Sequence, residues 1–213
     1  MAKPTKKLTT VSYTVLGLLR LRPHTPYELA GQVKRLAVFW TSAESVVYEE
    51  PKNLVAHGLA QATTEQNGKR SRTVYTITPA GERALSAWMS TPSGGPQIQF
   101  EAMLRVLFAD AGTKAELLAA VDVIATWAAM TRANGEAISR DYLEDQAPYA
   151  GRTHIVALTM AYQMHFVRAV QDWAEWAARQ IGGWDGTGTR PDVELEVFER
   201  VVRGEDPLGE PDG

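Results

Sequence analysis

A mainly α-helical chain with one small two-stranded hairpin, divided into a compact first part and a long-helix second part, is what this sequence predicts. Three observations carry that expectation. Apolar residues recur at three- and four-residue spacing through most of the 213 positions, the rhythm of helices with one buried face. Residues 60–65 and 73–78 alone have the short, Thr- and Val-containing texture of strands, with Asn67-Gly68 between them as a tight-turn signal. TPSGGPQIQ, residues 91–99, crowds Pro92, Gly94, Gly95 and Pro96 together and reads as a linker. The expected domains are therefore 1–90, a helical 100–203 and an acidic, disordered tail at 204–213.

Composition bounds the function. At 45% hydrophobic and 22% charged residues the chain can bury a core. It has no cysteine, which excludes disulfides and thiolate metal sites. The basic start MAKPTKKL has no following apolar run of signal-sequence length, and nowhere do about 18 apolar residues run together as a membrane span needs, so a cytoplasmic protein is expected. Net charge is only −3, but it is unevenly spread. Residues 1–90 hold 12 Lys and Arg against 6 Asp and Glu, and residues 91–213 hold 10 against 19. Only the first part is suited to a polyanion. Lys3, Lys6 and Lys7 form an arm that either solubilises the chain or attracts phosphate.

In chain order, Leu8–Leu21 places Val11, Val15, Leu18 and Leu19 on one face behind a Thr9 or Thr10 cap, predicting a first helix. Arg22-Pro23-His24 ends it. Thr25-Pro26 opens a second helix with Tyr27, Leu29, Ala30, Val33 and Leu36. Thr41 or Ser42 is placed to cap a third, with Val47, Leu54 and Val55 inward and Gly58 as its stop. The hairpin follows, and Thr78-Pro79 opens a fourth helix with Ala80, Ala84, Leu85 and Trp88, despite Gly81. Three helices, a strand, a turn, a strand and a helix is the order of a winged helix-turn-helix domain.

The third helix and the hairpin carry candidate DNA contacts. Ser42, Glu44, Ser45, Tyr48 and Lys52 fall on the outward face or near the start of the third helix. Hydroxyls there can meet base edges or phosphates. Lys69, Arg70 and Arg72 crowd three cations just past the turn, suited to phosphate or a narrow minor groove.

With LTTVSYTVLGLL, HTPYELA, SAESVVYEEPKNLVAHGLA and KRSRTVYTITPAGERALSAWM in this order, the first 90 residues resemble the PadR family of bacterial transcriptional regulators. The resemblance implies a winged helix, a C-terminal helical dimerisation domain and a repressor released by a small molecule. It adds Tyr13 and Tyr27 to Ser45, Tyr48 and the wing cations as DNA contacts, and Thr10 at the start of the first helix is counted with them. One departure stands out: many members have Pro directly after the tyrosine of the third helix, whereas here Glu49 and Glu50 follow Tyr48 and the proline is Pro51. A proline inside a helix removes a backbone bond and kinks it, and two glutamates on a reading helix repel phosphate.

In the second part, Phe100–Ala109 predicts a short apolar helix. Thr113 and Glu116 have capping-box spacing ahead of a long helix through Leu117, Val121, Ile124 and Ala128 to about Gln146. A second long helix is expected from about Thr153 to Ile181, with Ile155, Leu158, Tyr162, Phe166, Ala169, Trp173 and Trp176 as its apolar seam, and a last helix over Val193–Val202. Two long helices cannot bury both apolar faces alone, which points to a homodimer through Leu117, Val121, Ile124 and the second helix's seam. Trp127 and Met130, with the other aromatics, either fill core or line a pocket for a flat aromatic effector.

No catalytic constellation, phosphate loop, cofactor motif or metal set is visible. His154 and His165, eleven residues apart on one helix, stand roughly 16 Å apart and cannot share an ion. The expectation is a homodimeric regulator on double-stranded DNA with an inverted-repeat site. The alternatives are a protein-interaction module and a small-molecule sensor on the same scaffold.

Overall fold

The computed structural model describes residues 6–67, 70–188 and 195–209, with the side chains of Asn67, Arg70 and Ala150 outside that description. The chain divides into two compact units, Met1–Gln97 and Ile98–Gly213. The first contains α1 (Thr10–Leu21), α2 (Pro26–Lys34), α3 (Glu44–Ala56), β1 (Ala60–Asn67), β2 (Arg70–Ile77) and α4 (Pro79–Met89). The second contains α5 (Glu101–Leu107), α6 (Lys114–Leu143), α7 (Thr153–Gly182) and α8 (Glu196–Arg203). The expected fold class holds: mostly helical, with one antiparallel hairpin.

The first unit packs α1, α2, α3 and the hairpin around Leu16, Leu19, Leu29, Val33, Val47, Leu54 and Tyr75. Local chemistry sets most boundaries. Thr25 accepts the Glu28 N–H while Glu28 accepts the Thr25 N–H, a closed capping box with Pro26 in the first turn. At the end of α3, Gly58 adopts φ 69°, the Leu59 N–H reaches Leu54 O and the Gly58 N–H reaches Val55 O, both at 2.9 Å. That paired pattern satisfies the last carbonyls of the helix. Thr78 then ties α4 to the same corner, donating to Gly58 O at 2.7 Å and accepting the Gly81 N–H at 3.1 Å. Gly81 is required there, because a Cβ would run into the Leu59 carbonyl oxygen.

Several expectations are corrected. Neither Thr41 nor Ser42 caps α3: the helix begins at Glu44 with Ala43 in the cap position, so both hydroxyls stand upstream of the first free N–H groups. They line a small cleft of about 100 Å³ between α2 and the start of α3. Val55 is exposed rather than inward, since the buried positions are Val47, Glu50, Pro51 and Leu54. The helix runs on through Pro51 to Ala56. The strands are longer than read and pair in register from Ala60↔Ile77 to Asn67↔Arg70, which puts Arg70 and Arg72 within β2. His24 extends the hairpin by a short bridge, exchanging backbone hydrogen bonds with Tyr75 at 2.8 and 3.1 Å.

In the second unit α6 and α7 form an antiparallel pair. Lys114 at the start of α6 donates to Gly182 O at 2.8 Å and Trp184 O at 2.6 Å at the end of α7. The expected box at Thr113 and Glu116 is closed. Leu117, Val121 and Ile124 pack with Ala174, Ala177 and Ile181 inside the chain's own core. Of the seam read for α7, Ile155, Leu158 and Tyr162 are exposed on the outer side, whereas Phe166, Trp173 and Trp176 are half-buried and both tryptophans pack against the chain's own core; the fully buried stripe is Val167, Ala174, Ala177 and Ile181. At about 100° per residue, Leu158 and Val167 lie on opposite sides of the helix.

The last helix begins at Glu196 rather than Val193, which lies outside the described residues. Past α8 the Glu205 N–H returns to Arg200 O at 2.9 Å, and Gly204 takes a left-handed cap at φ 71°. No described helix is long and apolar enough to cross a membrane.

Candidate nucleic-acid interface

The outward face of α3 begins with Glu44 and Ser45, both exposed, and continues to Lys52. Ser42 is half-buried at the cleft. Tyr48 is also half-buried, its ring against the core, which leaves its position fixed by packing. Tyr27 stands 78% exposed on the first turn of α2, a large aromatic that nothing in the unit covers. Thr10 is exposed at the start of α1, where its carbonyl accepts the Thr14 hydroxyl at 2.9 Å. Tyr13 does not stand free on α1: it stacks on Trp88 of α4, with ring centroids 5.1 Å apart and planes 6° apart.

Three described cations of this surface are paired. Lys34 reaches Glu44 at 3.2 Å, Lys52 reaches Glu49 at 2.8 Å, and Arg72 donates Nε and Nη2 to Glu65 Oε2 at 3.1 and 2.8 Å. The Glu49 carboxylate raises the Lys52 ammonium above its ordinary range. Exposed pairs of this kind are worth only about 0–1 kcal/mol, so a phosphate can take the cation with little loss. Lys69 lies outside the described residues, as does the side chain of Arg70.

Glu50 departs from the sequence reading altogether. It is buried, 7% exposed, and accepts hydrogen bonds from Ser12 at 2.6 Å and Asn53 at 3.0 Å. It therefore presents no charge to a ligand on the outward face. A serine in the middle of an otherwise apolar α1 stripe was the available signal, together with Asn53 three residues after Glu50.

In the second unit an open cavity of about 890 Å³ lies between the segment leading into α5, α5 itself and the α6/α7 pair. Phe100, Met103, Leu104, Phe166, Val170 and Trp173 give it apolar walls. Trp127 is wedged between Phe100 and Phe166, at centroid distances of 5.5 and 6.1 Å, and is not itself among the residues that line the cavity. Met130 is 64% exposed and does not line it. Phe166 and Trp173, read for a dimer seam, line it instead. His154 and His165 are both exposed, and no group of three or more His, Asp or Glu among the described residues is placed to hold a metal ion.

Residues 15–87, nearly all of the helix-and-wing unit, match the model of the transcriptional regulator PadR-like family. Over this domain the chain is similar to the PadR-like family. Among curated relatives, the negative transcriptional regulator PadR of Bacillus subtilis (strain 168) is 31% identical over 104 residues. That match covers 47% of this chain and 57% of the relative, so it spans little more than half of the relative's length. The PadR-like fold extends further than the sequence match. The structure of Bacillus subtilis PadR in complex with operator DNA superposes with a TM-score of 0.66 at 21% identity, covering 81% of this chain and 99% of that one. The same protein with p-coumaric acid gives 0.59 at 21% identity, covering 82% and 99%. The PadR-like regulator BC1756 of Bacillus cereus gives 0.71 at 14% identity, covering 84% and 99%.

Proposed function

We propose that this PadR-like chain is a homodimeric, sequence-specific DNA-binding repressor that releases its operator in response to a small aromatic effector. The observation that carries the reading is the first unit itself: a helix with an exposed polar leading end, beside a two-stranded wing, in a fold shared with a relative solved on operator DNA. Ser45 and Tyr48 of α3 are the readers of base edges. Arg72, with Lys69 and Arg70, supplies the backbone contacts that set register and affinity. The cavity walled by Phe100, Phe166 and Trp173 is the effector site, of a size and apolar character suited to a flat aromatic molecule. The relative solved with p-coumaric acid supports that ligand class.

Dimerisation follows from α7. Ile155, Leu158 and Tyr162 form an exposed apolar stripe on its outer side, which a second copy would cover. Two α3 helices held by a symmetric dimer read half-sites one helical turn, or a multiple of it, apart.

The test is selection from a random duplex pool by the purified chain, with Lys69, Arg70 and Arg72 all changed to Ala as control. An enriched inverted repeat, bound much less tightly by the control, is the expected result. A folded, dimeric protein that enriches nothing would overturn the reading and leave the interaction module or the effector sensor.

A further inference from the structure

A hydrogen-bonded chain runs from the start of α1 to the middle of α3. The Thr9 N–H donates to Ser12 Oγ at 2.9 Å, the Ser12 hydroxyl donates to Glu50 Oε1 at 2.6 Å, and Asn53 Nδ2 donates to the same oxygen at 3.0 Å. Ser12 is fully buried and Glu50 is 7% exposed. Burying a carboxyl group is unfavourable unless donors meet it, and apolar residues of the same volume commonly serve stability as well or better. Stability therefore does not explain Glu50.

Its neighbour suggests what does. Pro51 has no N–H, so the Val47 carbonyl lacks the donor that a continuous helix would supply four residues on. The missing bond falls at the joint between the exposed leading end of α3, Glu44–Tyr48, and the end anchored by Leu54 and the Gly58 corner. The Ser12–Glu50–Asn53 bonds sit at that joint. Unlike apolar packing they are directional, and a fully satisfied buried network favours one geometry.

We infer that Glu50 is a positioning residue: through Ser12 it fixes the leading end of α3 against α1, so that Ser45 and Tyr48 meet a duplex in one register. The inference rests on the DNA-reading role proposed above. It assigns to Glu50 a part in sequence preference without contact to DNA, and it separates preference from stability.

The test uses the full-length chain. Ser12→Ala with Glu50→Leu removes both polar partners in apolar form, a change that can be neutral or stabilising. Its thermal midpoint should stay near that of the parent, while preference for the selected site over random duplex falls about tenfold, the scale of one misread base pair. The salt dependence of binding should not change, because no phosphate contact is removed. Amide exchange over residues 44–49 of the free protein should speed up. Glu50→Gln, which keeps the Oε1 acceptor, should restore most of the preference and slow the exchange again.

A stable double variant with parental preference and parental exchange would overturn the inference. Should the double variant not fold, Ser12→Ala alone decides it by the same exchange, and unchanged protection over 44–49 counts against it. If the parent enriches no DNA the proposed function fails, and the exchange of the free proteins still decides whether Glu50 holds the helix.

Discussion

Arg72 and Glu65 face each other directly across the hairpin, as register partners on β2 and β1, with Nη2 2.8 Å from Oε2. Both side chains are about half exposed. Arg72 therefore carries its own acid, and a phosphate that recruits it must displace Glu65. Glu65→Gln should tighten duplex binding by up to about fivefold at moderate salt, the limit set by a surface pair of about 1 kcal/mol. Arg72→Ala should lower the slope of log affinity against log salt by about 0.9. Titrations at three or more salt concentrations measure both effects. A Glu65→Gln protein that binds more loosely would mean that Glu65, not Arg72, is the group DNA needs.

The stack of Tyr13 on Trp88 divides two roles that one substitution to Ala would confuse. Tyr13→Phe keeps the stack and removes only the hydroxyl. It should leave thermal stability within a degree or two and weaken operator binding. Trp88→Ala removes the stack, worth about 0.5–1.5 kcal/mol beyond the area it buries, and should lower the unfolding midpoint of the first unit. Equal loss of binding and stability in Tyr13→Phe would assign the hydroxyl to the fold.

What the sequence made legible was local. Thr25-Pro26, Thr78-Pro79, and Thr113 with Glu116 each determine a helix start within four residues, and each forms as read. Thr41 and Ser42 misled because two adjacent hydroxyls qualify as caps, and only packing of the α2–α3 connection decides that neither is used. Glu50 was misread as surface because its partner Ser12 is 38 residues away. The apolar seam of α7 was visible, but two stripes with the same spacing share that helix. Which one faces α6 depends on Val167, Ala174 and Ala177, small residues that carry little pattern weight. An aromatic-lined pocket was legible as an alternative, but its α5 wall was missed because Phe100, Met103 and Leu104 look like an ordinary helix face until α7 is placed against them.

His24 makes the first unit sensitive to acid. Burial pushes its imidazole below the ordinary 6.5. The hydrogen bond to the Arg22 carbonyl at 2.8 Å raises it, the Arg22 guanidinium lowers it, and Glu28 raises it in turn. With the folded value below the unfolded one, the unfolded chain binds more protons between them. Stability is then full above pH 6.5 and is lost as pH falls through that window. The unfolding midpoint of the first unit should drop as pH falls below about 6.5, the unperturbed histidine value, and His24→Asn should flatten that dependence. A parent midpoint that is level over this range would mean that protonation of His24 is compensated in the folded state.

Filling the cavity should separate effector binding from DNA binding. Ala169 lines it on α7, and Ala169→Trp places a ring in the space. With an anilinonaphthalene sulfonate dye as the probe, fluorescence titration should show affinity reduced at least about tenfold, as expected when a pocket's apolar contact is replaced by a clash. Met130→Ala should leave dye binding unchanged, since Met130 does not line the cavity. Equal binding by parent and Ala169→Trp would place the dye elsewhere.

The two stripes of α7 predict opposite phenotypes for two single substitutions. Val167 is 1% exposed and packs within the chain, while Leu158, on the other side of the helix, is 73% exposed. Val167→Ala removes two buried methyl groups and should cost about 2 kcal/mol of stability. The protein should remain dimeric wherever it is folded. Leu158→Glu removes nothing from the chain's own core, so the monomer should keep its helical content. A charge placed in an apolar contact between copies is unpaired and poorly solvated, and dissociation should rise by at least about tenfold. Sedimentation equilibrium alongside thermal unfolding measures both. DNA binding should then fall steeply for Leu158→Glu at concentrations where only monomer is present, because one α3 helix reads one half-site. A Leu158→Glu protein that stays dimeric and binds its site normally would move the partner contact off this stripe of α7.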